Sequence, residues 1–300
     1  MARVQILLST FNGERYLPQQ IQSLLDQDYS EIDILVRDDG SEDGTREVLA
    51  RYARTSRLTV VLGENLGVVR SFLELLRMSG PAVDYVALCD QDDVWLPDKI
   101  SRAVSFLETT DGERPVVYAS RVSVVDEQLR LRHLSRKPTR PLGLGNALVE
   151  NLLTGCTTVL NRAARDLIVA RLPEFAFVHD WWIYLVMSAC GEIRYDFESR
   201  ILYRQHAQNA IGVTSGFVGK WSRRASRFLQ RKESIARQVG EFRRLFADRL
   251  SQEQLEIVRL VETAPESFGR RLALARSRRV YRQSSLDDLL LRGVILANRL

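Results

Sequence analysis

The first 120 residues alternate short apolar runs with stretches of helical periodicity. Apolar runs predict strands over residues 4–9, 32–36, 58–62 and 85–89, and after each of them apolar positions recur three or four residues apart. Strand and helix units repeated in this way predict a parallel sheet with helices on both faces. The pattern therefore indicates an α/β fold with its core between the sheet and the flanking helices.

Polar or glycine-rich segments follow three of these four strands. They are residues 10–14, 38–44 and 90–93. In an open parallel sheet, ligands bind beyond the carboxyl ends of the strands, where such segments meet. We therefore expect the functional site at that edge of the sheet.

The second half of the chain carries weaker patterns. Further strands are predicted over residues 116–120 and 154–160, and Asn161 is expected to cap the helix that follows. Residues 130–145, rich in Arg, Pro and Gly, predict a mobile basic loop. From Phe217 onward the apolar spacing becomes helical.

Composition adds a division of charge along the chain. The 300 residues have a formal net charge of +5, but residues 1–216 have a net charge of −5 and residues 217–300 one of +10. This asymmetry bears on binding partners rather than on fold. We expect an α/β domain over 1–216 and a basic, amphipathic helical region over 217–300, with a capping box at Ser251 and Gln254.

Cysteine usage and apolar run lengths bear on the compartment. The three cysteines lie far apart without a CxxC pair, which favours a reduced, intracellular protein. The N-terminal apolar run is too short for a signal peptide. The longest apolar stretch, residues 181–190, is far below the roughly 20 residues that span a bilayer. We expect a cytoplasmic protein, or one bound peripherally to the inner face of the cell membrane.

Clustered carboxylates are the main candidate chemistry. Asp90, Asp92 and Asp93 follow a predicted buried strand. Carboxylates two positions apart on a tight turn can converge on one Mg²⁺ or Mn²⁺, although Asp92 or Asp93 could instead only cap the next helix. Asp38 and Asp39 belong to a strand-to-helix turn, and they could also accept hydrogen bonds from a base or ribose.

Three more residues are candidate functional residues. Asp180 precedes two tryptophans at the predicted start of a helix, where an acid is by default a cap. Burial against indole rings would raise its basicity, so Asp180 is also a candidate general base. Arg204 and His206 end a later predicted strand and could contact a diphosphate as cations or donors.

Taken in order, six segments resemble the inverting glycosyltransferases of family 2, which have the GT-A fold. The segments lie between residues 4 and 210 and read LLSTFNGERYL, DDGSEDGT, ENLG, DQDDVWLP, TGC and HDWW. The DQDD form, the HD pair and the run YRQHAQNAIG at 203–212 are most similar to bacterial rhamnosyltransferase-type members. The resemblance implies a Rossmann-like, mostly parallel central sheet with helices on both faces, to which a C-terminal helical appendage is added.

The resemblance also implies a role for each candidate residue. Asp180 would be the catalytic base that takes the proton from an acceptor hydroxyl. The nucleotide sugar would be bound by Thr10, Phe11, Asn12, Glu14, Asp39, Asp90 and Arg204. A metal on the diphosphate would be held by Asp92, Asp93 and His206, with the main ligand among the two aspartates left open.

The expected activity is a metal-dependent, inverting transfer of the EC 2.4 type. L-Rhamnose would pass from dTDP-L-rhamnose to a glycan or lipid-linked oligosaccharide in O-antigen, capsule or other cell-surface polysaccharide synthesis, with a UDP-hexose donor as the alternative. A non-catalytic nucleotide-sugar-binding protein is disfavoured because Asp39, Asp92 and Asp180 occur together. Residues 217–300 would either pack as a helical cap or dock on an anionic membrane surface. No zinc pattern, RNP-like run or helix-turn-helix signal supports a nucleic-acid partner.

Overall fold

The computed structural model describes residues 1–54, 57–109, 112–206 and 235–300. Within these ranges nine strands form one sheet. The strands are β1 (Val4–Thr10), β2 (Ile32–Asp38), β3 (Leu58–Leu62), β4 (Tyr85–Cys89), β5 (Val94–Trp95), β6 (Val116–Val125), β7 (Leu131–Leu134), β8 (Val159–Asn161) and β9 (Glu192–Arg204).

Helices connect and flank the strands. In chain order they are α1 (Leu17–Leu25), α2 (Thr45–Tyr52), α3 (Val68–Met78), α4 (Lys99–Leu107), α5 (Leu144–Ala147), α6 (Arg162–Val169), α7 (His179–Cys190), α8 (Ile235–Phe246), α9 (Gln252–Glu262), α10 (Phe268–Arg276) and α11 (Ser285–Leu296). Short 3₁₀ turns lie at Gly155–Thr157, Ala247–Arg249 and Ala264–Glu266. None of the described helices is both long and apolar enough to cross a membrane.

The sheet is parallel in its first half and mixed in its second. The strand order is β3-β2-β1-β4-β8-β6-β9-β5, with β7 paired to the side of β6. Strands β3, β2, β1 and β4 are parallel, whereas β8 runs antiparallel to both β4 and β6. Thr10 pairs with Asp38, and Leu8 pairs with Cys89. The carboxyl ends of β1, β2 and β4 therefore meet at one edge, as the sequence predicted.

Hydrophobic clusters cover both faces of the sheet, because successive side chains of a strand point to opposite sides. Ile6 and Leu8 of β1 belong to a cluster with residues of α1, α2 and α4. Leu7 belongs to a second cluster with residues of α3, α6 and α7. Helices α8–α11 also contribute to this second cluster, through Phe242, Val258, Leu274 and Ile295. The described C-terminal helices thus share a core with the sheet.

The structure confirms several predicted features of the second half. Asn161 caps α6 by accepting a hydrogen bond from the Ala164 N–H at 3.0 Å, and Ser251 forms the capping box with Gln254 at the start of α9. The helical pattern is present over residues 235–300. The proposed boundary at 216/217, with the start of the helical pattern at Phe217, lies outside the described residues.

Two predictions for the second half were wrong. Residues 130–145 are not simply a loop, because Leu131–Leu134 forms β7 and pairs with the end of β6. Residues 154–160 are not one strand, because Gly155–Thr157 forms a 3₁₀ turn before β8. In both places the conformation depends on partners elsewhere in the fold, which local patterns do not encode.

Candidate active site

The loops after β1 and β2 are joined by hydrogen bonds at the predicted edge of the sheet. The Asn12 N–H donates to Ser41 Oγ at 3.0 Å, and the Glu42 N–H donates to Asn12 Oδ1 at 2.9 Å. Glu14 Oε2 accepts from the Gly44 N–H at 3.1 Å. Asn12 and Glu14, both predicted nucleotide ligands, therefore hold the two loops together in this structure.

Gln91 joins the loop after β1 to the loop after β4. Its Oε1 accepts from Thr10 Oγ1 at 2.7 Å and from the Phe11 N–H at 2.8 Å, while its Nε2 donates to the Phe11 carbonyl at 3.0 Å. A Cβ at Gly13 would lie 2.2 Å from Gln91 Oε1, so this approach requires glycine. Thr10 is buried, whereas the Phe11 side chain remains exposed at the edge.

Asp39 lies buried where β2 ends. Its two oxygens accept hydrogen bonds from the Leu66 and Gly67 N–H groups, each at 2.9 Å, and it forms an ion pair with the buried Arg37. Arg37 also donates to the Glu64 carbonyl at 2.8 Å. Asp39 thus connects β2 with the loop before α3, and its predicted contact with the base stays a prediction.

The aspartates of the acidic loop after β4 have different partners. Asp92 Oδ2 lies 2.8 Å from His206 Nε2, so these two predicted metal ligands are adjacent. Asp93 is fully buried, and its Oδ1 accepts from the Arg204 N–H at 3.1 Å. The carboxylates of Asp90 and Asp93 and the Cys156 sulfur lie within 4.8 Å of one another.

This concentration of carboxylates is electrostatically unfavourable in the absence of a cation. Burial, together with the negative charges of Asp92 and Asp180, raises the pKa of Asp90 to about 8. Burial and the charges of Asp92 and Asp90 likewise raise the pKa of Asp93. Burial also raises the pKa of the Cys156 thiol. The other candidate donors are carboxylate oxygens and the imidazole nitrogen of His206. Such donors suit Mg²⁺ or Mn²⁺.

Arg204 is buried and holds the end of β9 in place. Its guanidinium donates to the carbonyl oxygens of Asp92 at 2.8 Å and Glu127 at 2.6 Å, and to Gln19 Oε1 at 2.5 Å. It also lies 4.7 Å from the ring centroid of Tyr16. These contacts fix the acidic loop, and the predicted contact of Arg204 with the nucleotide sugar stays a prediction.

Asp180, at the start of α7, is held by three N–H donors. Oδ1 accepts from Asn151 Nδ2 at 2.9 Å and from the Trp181 N–H at 2.7 Å, and Oδ2 accepts from the Gly155 N–H at 3.0 Å. Burial raises the pKa of Asp180 to about 6, although these hydrogen bonds oppose the increase. The side chain is therefore a fixed carboxylate that is more basic than an ordinary aspartate.

The loop that contacts Asp180 packs on the neighbouring His179. This ring is buried and stacks on Phe72 with centroids 4.0 Å apart. Burial lowers the pKa of His179 to about 3, which leaves the imidazole neutral. A Cβ at Gly155 would lie 2.7 Å from His179 Nε2, so the 3₁₀ turn can approach the ring only with glycine at this position.

Residues 281–283, before α11, support the segment that carries Asn151. The Gln283 N–H donates to Glu150 Oε2 at 2.8 Å, and Arg282 Nε donates to the Val149 carbonyl at 3.2 Å. Asn146 Nδ2 donates to the Tyr281 carbonyl at 3.0 Å. The C-terminal region is thereby connected to the surroundings of Asp180.

Sequence reasoning located the acidic loops but missed the residues that position them. Arg37 directly precedes the DDGSEDGT segment, and Gln91 lies within the DQDDVWLP segment. Their residue types and positions in the sequence do not reveal which groups they contact. Asn151 lies 29 positions before Asp180, in a segment without a clear pattern. These residues become visible only when the fold brings distant segments together.

At this edge a fixed basic carboxylate lies near a group of acidic side chains and an imidazole. The carboxylate can accept a proton from a hydroxyl near neutral pH. The acidic group with His206 can hold a divalent cation, which would attract an anionic ligand. This combination suits group transfer from a phosphate-containing donor.

Two solved structures have a similar fold. Staphylococcus aureus TarS 1–349 in complex with UDP-GlcNAc has a TM-score of 0.61 and 14% sequence identity, with 99% of this chain and 88% of that chain covered. The mannosyltransferase PcManGT from Pyrobaculum calidifontis, in complex with GDP-Man and Mn²⁺, has a TM-score of 0.52 and 18% identity, with 98% and 80% covered. At these identities the likeness shows the fold, and the expected GT-A fold is confirmed.

Relatives in sequence include characterised and uncharacterised glycosyltransferases. The dTDP-rhamnosyl transferase RfbG of Shigella flexneri is 25% identical over 228 residues, which cover 72% of this chain and 77% of that protein. An uncharacterised glycosyltransferase of Rickettsia prowazekii is 24% identical over 253 residues, covering 82% and 78%. The family model for Glycosyl transferase family 2 matches residues 5–167. Because this match spans more than half of the chain, the protein belongs to glycosyltransferase family 2, whose members transfer a sugar from a nucleotide-sugar donor.

Proposed function

We propose that this enzyme transfers L-rhamnose from dTDP-L-rhamnose, with inversion, to a hydroxyl of a glycan or lipid-linked oligosaccharide in bacterial cell-surface polysaccharide synthesis. The observation that carries the proposed chemistry is Asp180, whose oxygens are fixed by three N–H donors while burial raises its pKa to about 6. The Shigella flexneri relative supports the choice of donor. A UDP-hexose donor is the second candidate, supported by UDP-GlcNAc in the TarS complex.

The proposed reaction uses Asp180 as a general base. Its carboxylate accepts the proton of the acceptor hydroxyl while the hydroxyl oxygen forms a bond to C1 of the sugar. The bond from C1 to the diphosphate oxygen breaks on the opposite face, and its electron pair stays with the departing nucleoside diphosphate. This single displacement inverts C1. One protein carboxylate then suffices for the proton transfer.

The acidic loop is proposed to hold a divalent cation on the diphosphate. The donor atoms fit Mg²⁺ or Mn²⁺, because Asp92 Oδ2 and His206 Nε2 are adjacent and the carboxylates of Asp90 and Asp93 lie close to each other in the same loop. When bound, such an ion neutralises charge that develops on the leaving diphosphate. We assign Asp92 and His206 as its main ligands. Asp93 instead positions β9 through the Arg204 N–H.

The loops after β1 and β2 are proposed to bind the nucleotide. The exposed ring of Phe11 offers an apolar surface at the sheet edge, and Thr10 lies directly before it in the loop fixed by Gln91. Asp39 supports the same side of the site through its bonds to the loop before α3. Oδ1 of Asp39 already accepts from the Leu66 N–H and from Arg37, whereas Oδ2 accepts from the Gly67 N–H and has a second lone pair with which it could accept a hydrogen bond from the base.

Donor screening together with the variant Asp180→Asn tests the proposal. With Mg²⁺ or Mn²⁺ present, the enzyme should bind dTDP-L-rhamnose more tightly than UDP- or GDP-sugars. It should also release dTDP from this donor faster than it releases UDP or GDP from the others. Asp180→Asn should lower turnover by about 10²–10⁴-fold, while the donor Kd measured by calorimetry stays nearly unchanged. Asp166→Asn, at an exposed position of α6, is the matched control and should keep full activity.

The possible outcomes test the base assignment and the donor assignment separately. Full turnover by Asp180→Asn would refute the base assignment. A preference for UDP-hexoses would establish the second candidate. Binding of no nucleotide sugar in any combination would contradict both donor assignments.

A further inference from the structure

The outward face of α11 carries no charge. Its exposed positions are Ser285, Leu286, Leu289, Gly293 and Leu296, and from Leu286 onward they lie three or four residues apart. This spacing places them in one stripe along the helix. Leu289 is 67% exposed, Leu286 48% and Leu296 38%. On the opposite face, Leu291 and Ile295 are buried in the core.

The charged side chains of α11 lie off this stripe, the reverse of an ordinary surface helix. Arg292 donates to the carbonyl oxygens of Ala275 at 3.0 Å, Ser277 at 2.6 Å and Val280 at 2.8 Å, so it stabilises the segment after α10. Asp288 accepts from Arg292 at 3.1 Å. The leucines are therefore the feature that α11 presents to its surroundings.

Basic residues accompany this apolar stripe. Residues 267–300 contain eight arginines and two aspartates. Arg276, Arg278 and Arg299 are exposed. Phe268, at the start of the packed neighbour α10, is 60% exposed. An uncharged leucine stripe with exposed arginines close to it in sequence has the chemistry that binds an anionic bilayer surface, where apolar side chains enter the headgroup boundary and arginines bind lipid phosphates.

We propose that the leucine stripe of α11, together with the exposed Arg276, Arg278 and Arg299, docks this enzyme on an anionic lipid bilayer. A second copy of the chain fits the surface less well. Stable protein interfaces use about 20–30 residues a side, many more than this stripe provides, and a symmetric contact would bring two arginine-rich regions together. The proposal rests on exposure and charge and is independent of the sugar transferred.

Vesicle co-sedimentation of the full chain tests the proposal without donor or acceptor. Phosphatidylcholine vesicles with about 30% phosphatidylglycerol, in about 0.1 M NaCl, should bind the protein, and pure phosphatidylcholine should bind it much less. The triple variant Leu286→Gln, Leu289→Gln, Leu296→Gln should lower the partition constant at least about tenfold. Leu131→Gln is the matched control, since Leu131 of β7 is 65% exposed but distant in sequence from α11. It should bind as the wild type does.

A second variant tests the proposal even if the triple leucine variant fails to fold. Arg278→Gln with Arg299→Gln changes only exposed side chains, and it should weaken binding several-fold and reduce the salt dependence. Circular dichroism and nucleotide release in solution should match the wild type in both variants. Unchanged vesicle binding by the folded leucine variant would refute the proposal, as would no binding by the wild type. A wild-type dimer that this variant converts to monomer would assign the stripe to a second copy instead.

Discussion

The hydrogen bond from Asn151 Nδ2 to Asp180 Oδ1, 2.9 Å long, helps to set the basicity of the proposed catalytic base. A hydrogen bond to a charged group contributes about 1.5–3 kcal/mol, and one pKa unit corresponds to about 1.4 kcal/mol. Asn151→Ala should therefore raise the pKa of Asp180 by about one to two units from its value of about 6. The N–H groups of Trp181 and Gly155 would still hold the carboxylate in place.

The effect on activity follows from the sign of this shift. Only the carboxylate form of Asp180 accepts a proton, so activity is lost as the pH falls through its pKa. In Asn151→Ala this loss should begin about one to two pH units higher than in the wild type. Well above the new pKa the activities should converge, because the ionised base is then fully present in both proteins.

The assay is kcat/KM for the preferred donor from about pH 5 to about pH 9 at saturating metal ion. Asn161→Ala is the matched control, because Asn161 caps α6 and bonds the Val116 N–H without contacting Asp180. It should cost about 1 kcal/mol or more of unfolding free energy and leave the pH profile unchanged. A wild-type profile without an ionisation near pH 6, or coincident acidic limbs for wild type and Asn151→Ala, would refute the reasoning.

Three further substitutions test contacts elsewhere in the structure. Arg37→Leu leaves Asp39 as a buried charge without its ion-pair partner, so urea unfolding should show a loss of about 3–5 kcal/mol; a loss below about 1 kcal/mol would contradict the role of the pair. Gln91→Leu removes the hydrogen bonds between two site loops, and steady-state kinetics should show a higher KM for the donor with a smaller change in kcat. Phe242→Ala should cost about 3–5 kcal/mol in one cooperative transition, and separate transitions for sheet and C-terminal helices would argue against a shared core.

The first half of the fold, in which strands and helices alternate, could be predicted from the sequence. Each strand there is an apolar run and each helix has its own apolar periodicity. The apolar runs at 58–62 and 85–89 coincide with β3 and β4. Such runs need burial on both faces, which a parallel sheet covered by helices provides. Leu131–Leu134 gave no such signal, since its exposed residues form a strand only through pairing with β6.

The acidic part of the candidate site could be predicted for a related reason. Asp39 and Asp90 stand directly after strands, and strand ends in a parallel sheet mark its ligand-binding edge. The donors that position the proposed base could not be found in this way. Asn151 and residues 281–283 reach the surroundings of Asp180 from distant parts of the chain. Only the folded arrangement relates them.

The core shared with the C-terminal helices has a consequence for protein synthesis. Ile295 of α11 packs in the same cluster as Trp182 of α7, more than a hundred positions earlier. At a synthesis rate of about 5–20 residues per second, the ribosome needs about 6–23 s to extend the chain from the first of these residues to the second. During that time the nascent sheet lacks part of its apolar cover. We expect the half-made chain to depend on chaperones, and the transferase to become active only after α11 has left the ribosome.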